Sequence, residues 1–327
     1  MTDMTVPPSP SVQILRRLAA TRELSLLVLI ALIVVTMTIV SPYFLSLANF
    51  RAVAIGMAPT AIIVIGMALL LASGGFDLSV GAVLALASTV AAMLIAAGVP
   101  IPIAVAAAIG LGGLIGLTNG ALVTLIGINP LVATLGTMSI ARGIALVMTE
   151  GFSISSLPRE FGLAGSSSWL GLPVLLWITL LLVVLFDLAF RHTRFFRQVY
   201  FIGANERAAH LSGIPVIRVR IVLYVLSGML AALAGVLLAS RLVSGTPTAG
   251  NALELQVLAA AVIGGASLRG GEGTILGAFL GVVFVALINN AMTMLAVSVY
   301  WQMIVTGLIL VAAVALDMLM RRGRSFH

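Results

Sequence analysis

The sequence predicts an all-α, polytopic helical membrane protein with about ten transmembrane helices, some broken or re-entrant, and a short helix in a cytoplasmic loop. Three observations carry this expectation. Of 327 residues, 61% are hydrophobic and 8% charged, whereas a soluble chain carries about 25% charged residues. Apolar stretches near the roughly 20 residues needed to cross a bilayer recur along almost the whole sequence. One polar island, Arg191 to Arg220, interrupts them and holds six arginines: Arg191, Arg194, Arg197, Arg207, Arg218 and Arg220. The alternating pattern of a membrane barrel is missing.

Residues 1–23, with Pro7, Pro8 and Pro10, read as a flexible cytoplasmic tail. The apolar run Leu24 to Val40 follows Arg16, Arg17 and Arg22 as a signal peptide would. It is longer than the usual apolar core and lacks a small-residue cleavage site, so it reads as a first retained span. Further spans are predicted near 50–72, 79–98, 101–127, 130–149, 170–190, 219–240, 252–267, 274–296 and 299–320. Residues 24–320 thus make one transmembrane domain, and 321–327 a cytoplasmic C-terminal tail. An even number of spans puts both termini on one side, and arginine bias makes that side the cytoplasm. There fall Arg16, Arg17, Arg22, the island, Arg269, Arg321, Arg322 and Arg324, with only Arg51, Arg159 and Arg241 opposite. The outer side carries one sizeable polar loop, from Glu150 to about Trp169.

Composition also excludes chemistry. Without cysteine the chain has no disulfide, thiolate metal site or cysteine nucleophile. Without lysine it cannot carry an ordinary phosphate-binding P-loop. His192, His210 and His327 all lie in cytoplasmic polar segments, and no HExxH sequence occurs. No catalytic or metal-ligating residue is therefore expected, and an intramembrane hydrolase is disfavoured. The net charge of +7 is a topology signal, not a nucleic-acid footprint.

The sharpest motif is GGFDLSVG, with Gly74, Gly75, Asp77 and Ser79. Its glycines break the preceding helix, and the Asp77 carboxylate can cap the next one. A carboxylate at membrane depth is costly unless paired or hydrogen-bonded, so a role in gating or substrate passage stands beside capping. A weak echo, GGASLR, occurs at Gly264 to Arg269, inside a glycine-rich break from Ile263 to Gly277. Asn129 followed by Pro130 is the favoured order for starting a helix. Arg142, inside that span, either snorkels or needs a partner such as Asp77 or Glu150. Asn251 and Glu254 resemble a capping box. Asn289 and Asn290, with Thr293 one turn on, either line a polar path or tie helices together. Gly112, Gly113, Gly116 and Gly120, and again Gly277 and Gly281, form small-residue faces for close helix packing.

Inside the island, Asn205 can cap a helix over Glu206 to Ser212, Gly213 can close it and Pro215 stops it. Ala204, Ala208 and Leu211 share one face, while Glu206, Arg207 and His210 stay polar. Such a helix either docks on a soluble partner or rests on the bilayer.

GGFDLSVG, NPLVATLGTMSIARG, GANERAAHLSGIPV and GGASLRGGEGT occur in the order expected for the permease subunit of ribose-type ABC sugar importers, and the chain resembles that family from about residue 45 to 320. The resemblance implies about ten transmembrane helices per subunit in a bacterial inner membrane, with both termini cytoplasmic. It implies a second permease subunit (a homodimer), an ABC ATPase subunit that binds ATP and Mg, and an extracytoplasmic sugar-binding protein. No cofactor is expected on this chain, and no nucleic acid. It also implies that Gly203, Asn205, Glu206, Ala208, Ala209, Leu211 and Gly213 form the ATPase-coupling segment. Gly74, Gly75, Asp77, Ser79, Asn129, Asn289 and Asn290 are the candidates for gating or translocation. The expected function is ATP-driven import of a monosaccharide. The alternatives are a nucleoside importer of the same architecture and an ion-coupled secondary carrier, for which Asp77 is the main titratable candidate.

Overall fold

The computed structural model describes residues 22–155 and 157–322. The expectations for residues 1–21, Arg324 and His327 fall outside them. The helices are α1 (Arg22–Val40), α2 (Leu47–Ala72), α3 (Val80–Ala96), α4 (Ile101–Ala121), α5 (Pro130–Thr149), α6 (Arg159–Ser166), α7 (Val174–His192), α8 (Arg194–Ala204), α9 (Glu206–Leu211), α10 (Val216–Leu242), α11 (Leu253–Ile263), α12 (Ile275–Met294) and α13 (Val299–Arg322). Among the described residues, α1, α2, α4 with the π turn Leu122–Ile126, α5, α7, α10 and α12 are long and apolar enough to cross a membrane. The shorter apolar helices are α3, α11 and the first part of α13. Together these match the predicted spans in order.

The centre is α10, which packs along α4, α3 and α2. Close approach there depends on the predicted glycine face. A Cβ on Gly112 would strike the Gly228 carbonyl, one on Gly116 the Tyr224 carbonyl, and one on Gly120 would meet Ile221. Gly281 and Gly277 do the same on α12, against the carbonyls of Ala260 and Gly264. The second half of α2 is buried all round, from Ala58 to Ala72 apart from Thr60, because α10, α12, α7 and α11 surround it.

Three regions differ from expectation. The span predicted over 252–267 is only the 11-residue helix α11. Residues 243–252 instead descend without helix beside α3, where Gly245 lies against Ser88 and Ala92 and Gly250 against Gly81. Asn251 does not cap α11; Ala252 occupies that position at φ +60 with no side-chain cap, so the capping box is not formed. The outer polar loop holds α6 and an antiparallel hairpin, β1 (Ser168–Trp169) with β2 (Leu172–Pro173). Trp177 pins that hairpin by donating to the Trp169 carbonyl at 3.1 Å. The island carries a second helix, α8, which the sequence reading passed over. Its apolar side, including Phe196, Val199 and Ile202, closes on the body, with Phe196 edge-to-face on Phe190.

Candidate functional site

Two helix ends and the island meet at one end of the bundle. After α2, Gly74 takes φ +80, the Gly75 amide donates to Leu70 O and the Gly74 amide to Leu71 O. After α11, Gly265 takes φ +97, the Ala266 amide donates to Ala261 O and the Gly265 amide to Val262 O. Both are the same Schellman stop, which needs a residue free to adopt the left-handed conformation. The left-handed residue is the first glycine of GGFDLS but the second of GGASLR, so the echo is one residue out of register with the shared stop, and the two corners lie side by side. The Gly271 amide donates to Ala72 O at 2.9 Å.

The island closes on that joint. Gly203, the next-to-last residue of α8, sits so near Ala72 O and the Gly271 amide that a Cβ would overlap both. Tyr200 donates to Gly273 O at 2.6 Å. Burial pushes its phenol up to about 12, so it remains a neutral donor at any physiological pH. Arg220, in the first turns of α10, pairs with Glu206 at 2.8 Å and donates to Ser73 O at 3.3 Å. One guanidinium thus joins the first residue of α9 to the end of α2.

The exposed helix is α9. Asn205 caps it by accepting the Ala208 amide at 3.0 Å, and Gly213 closes it at φ +81. Only Ala209 turns inward. Ala204, Ala208 and Leu211 all face outward, with Leu211 81% exposed.

Asp77 and Ser79 lie just inside the joint in a buried polar cluster. The Asp77 carboxylate accepts from the Ser79 amide (2.9 Å) and hydroxyl (2.6 Å), Asn119 Nδ2 (3.3 Å) and Ser227 Oγ (3.5 Å). Thr137 completes the cluster by donating to Asn119 Oδ1 at 2.7 Å. Break, α4, α5 and α10 are so tied together. Arg142 is not a partner of Asp77 or Glu150. It donates to Pro247 O and Ala249 O at 2.8 and 2.7 Å, steadying the descending segment, because those carbonyls have no helical ladder to join. Asn129 caps α5 by accepting the Leu131 amide and is exposed, apart from this cluster.

At the opposite end Asn290 and Asn49 exchange amide hydrogen bonds at 2.7 and 3.1 Å, tying α12 to α2. Asn289 instead faces a cavity of about 250 Å³ between α2, α11 and α12, and a second of about 230 Å³ bounded by α11 and α13.

Residues 49–314 match the family described as "Branched-chain amino acid transport system / permease component". The chain is 38% identical over 295 residues to the L-arabinose transport system permease protein AraH of Escherichia coli (strain K12), 90% of each chain. It is 40% identical over 288 residues to the ribose import permease protein RbsC of Bacillus subtilis (strain 168), 88% of this chain and 89% of that one. The ribose import permease protein RbsC of Escherichia coli (strain K12) is 39% identical over 297 residues, 90% of this chain and 92% of its own. The chain belongs to this permease family.

No solved structure gives a match to the permease. Its joint includes residues that sequence reasoning missed. Asn119 had a usable signal, since an asparagine within an apolar span usually needs a partner. Arg220 was visible as part of the island, but its pairing with Glu206 across the Gly213–Pro215 turn follows no helical spacing. Tyr200 and Ser227 carried no signal in isolation.

Proposed function

We propose that the permease is the membrane-spanning subunit of an ATP-driven importer of a monosaccharide, with pentoses the leading substrate class. The carrying observation is similarity along nearly the whole chain to permeases named for ribose and L-arabinose. In this reading two copies flank one path, and an extracytoplasmic binding protein delivers the sugar. A separate ATPase subunit binds ATP and Mg and docks from the cytoplasm on α8–α9. Both termini then lie in the cytoplasm. The outward surface of α9 and of the last residue of α8 supports the docking surface, since Ala204 and Ala208 let a partner approach and Leu211 offers it an apolar anchor.

The test reconstitutes the permease with its ATPase and binding protein in proteoliposomes and follows labelled ribose and L-arabinose. Uptake is expected to need ATP hydrolysis and to survive a protonophore. Uptake that persists with a hydrolysis-dead ATPase but collapses with the proton gradient would make the protein an ion-coupled carrier. Replacing Ala208→Trp and Leu211→Asp together is expected to abolish ATPase pull-down and import while membrane insertion stays intact.

A further inference from the structure

We propose that Gln256, Asn289, Thr293, Gln302 and Thr306 form the sugar-contacting wall of the translocation path, a site selective for an uncharged polyol. This rests on the importer reading above. The two cavities adjoin at Gln256 and Asn289, which line both. They lie toward the end of the bundle opposite the island, between α2, α11, α12 and α13. Together they fall inside the roughly 300–1,000 Å³ range of small-molecule sites.

Hydrogen bonding singles this wall out. Among the described residues the side-chain amides of Gln256 and Asn289 have no hydrogen-bond partner, while the neighbouring Asn290 is fully engaged with Asn49. Gln302, which lines the second cavity, donates its amide to Thr293 Oγ1 and Val297 O, and its side-chain oxygen has no hydrogen-bond partner among the described residues. Thr293 and Thr306 donate back to Asn289 O and Gln302 O, so Thr306 Oγ1 is left to accept, while Thr293 Oγ1 already accepts from Gln302 and keeps one lone pair. Unpaired amides inside a span are costly unless water or a ligand engages them. Both amide faces and spare acceptors suit hydroxyl groups, each of which donates and accepts. Val282, Val285 and Met303 add apolar walls for the carbon face of a sugar ring.

Among the described residues, no charged side chain lines either cavity. A sugar phosphate or a zwitterionic amino acid would have to leave its charges unmatched there. The wall therefore favours a neutral sugar over the amino acids in the family's description.

The absence of native cysteine gives a direct test on the assembled transporter. Asn289→Cys and Gln302→Cys are each treated with a charged, membrane-impermeant methanethiosulfonate reagent, with and without ATP. Leu176→Cys, a buried position in the apolar cavity bounded by Phe44, Phe50 and Phe279 and absent from the lining of both path cavities, is the control. Both path cysteines are expected to react in at least one nucleotide state and to lose import on reaction, while Leu176→Cys stays unreacted. Silence at both path positions in every state overturns the site. In parallel, Gln256→Leu with Asn289→Leu is expected to cut import about tenfold, as for two lost hydrogen bonds, while binding-protein-stimulated ATP hydrolysis stays at the wild-type level. Equal loss of import and hydrolysis in a properly assembled complex would mean a packing role and overturn the assignment; if the double variant fails to assemble, the labelling decides. Failure of the importer reading is separate: wild-type protein would then import no sugar with its ATPase, whatever the cysteines report.

Discussion

Asp77 is completely buried, and the described residues give it no cationic partner. What makes that tolerable is the ring of donors from Ser79, Asn119 and Ser227, since a buried carboxylate is stable when its lone pairs are engaged. Asp77→Ala would orphan the Ser79 amide and hydroxyl, while Asn119 Nδ2 keeps its bond to Ser79 Oγ. The expected loss is about 1–3 kcal/mol for each unsatisfied buried group, read as a lower melting temperature of the detergent-solubilised protein. Arg220 and Glu206 behave differently, because the Glu206 side chain is 56% exposed. A pair of that kind contributes roughly 0–1 kcal/mol, so Glu206→Gln should barely change melting. Arg220→Met additionally abandons the Ser73 carbonyl and should melt distinctly lower. If the pair serves transmission, both variants should reduce transport per ATP hydrolysed by the reconstituted complex.

Among the elements, the helix pairs built on glycine are the least forgiving. Gly116→Leu would drive a side chain into the α10 backbone at Tyr224, where overpacking costs typically 1–3 kcal/mol or more. The expected outcome is poor membrane yield, while Gly136→Leu, in open space on α5, should express normally. These faces were legible in the sequence because glycines four apart fall on one side of a helix. The Schellman stops were legible too, as glycine pairs ending apolar runs. Residues 243–252 were legible only as a break between two spans, since their Gly, Ser, Thr and Pro residues suit a loop. That the loop runs beside α3 with its carbonyls on Arg142 leaves no mark in composition. Helix α8 was missed because its apolar residues, interleaved with Arg194 and Arg197, blended into a run read for charge.

For the whole molecule, hydropathy was enough to order the spans, since lipid demands long apolar helices. The assembly of the joint was not readable. It depends on contacts between segments far apart in the chain, such as Gly203 with Ala72 and Gly271, which leave no periodic trace. If both termini and the island share the cytoplasmic side, Leu211→Cys should react with an impermeant maleimide in inverted vesicles and stay silent in intact spheroplasts. The reverse pattern would refute the topology.

The contact of Gly203 with Ala72 and Gly271 has a mechanical corollary. Peptide groups meet there with no side chain between them, so no rotamer is available to absorb displacement. Strain applied to the island would pass undamped into the two corners, much as a rigid linkage without bushings transmits every movement of its drive arm. If an ATPase drives the island, padding the contact, as Gly203→Val would, should lower the sugar imported per ATP hydrolysed by the reconstituted complex.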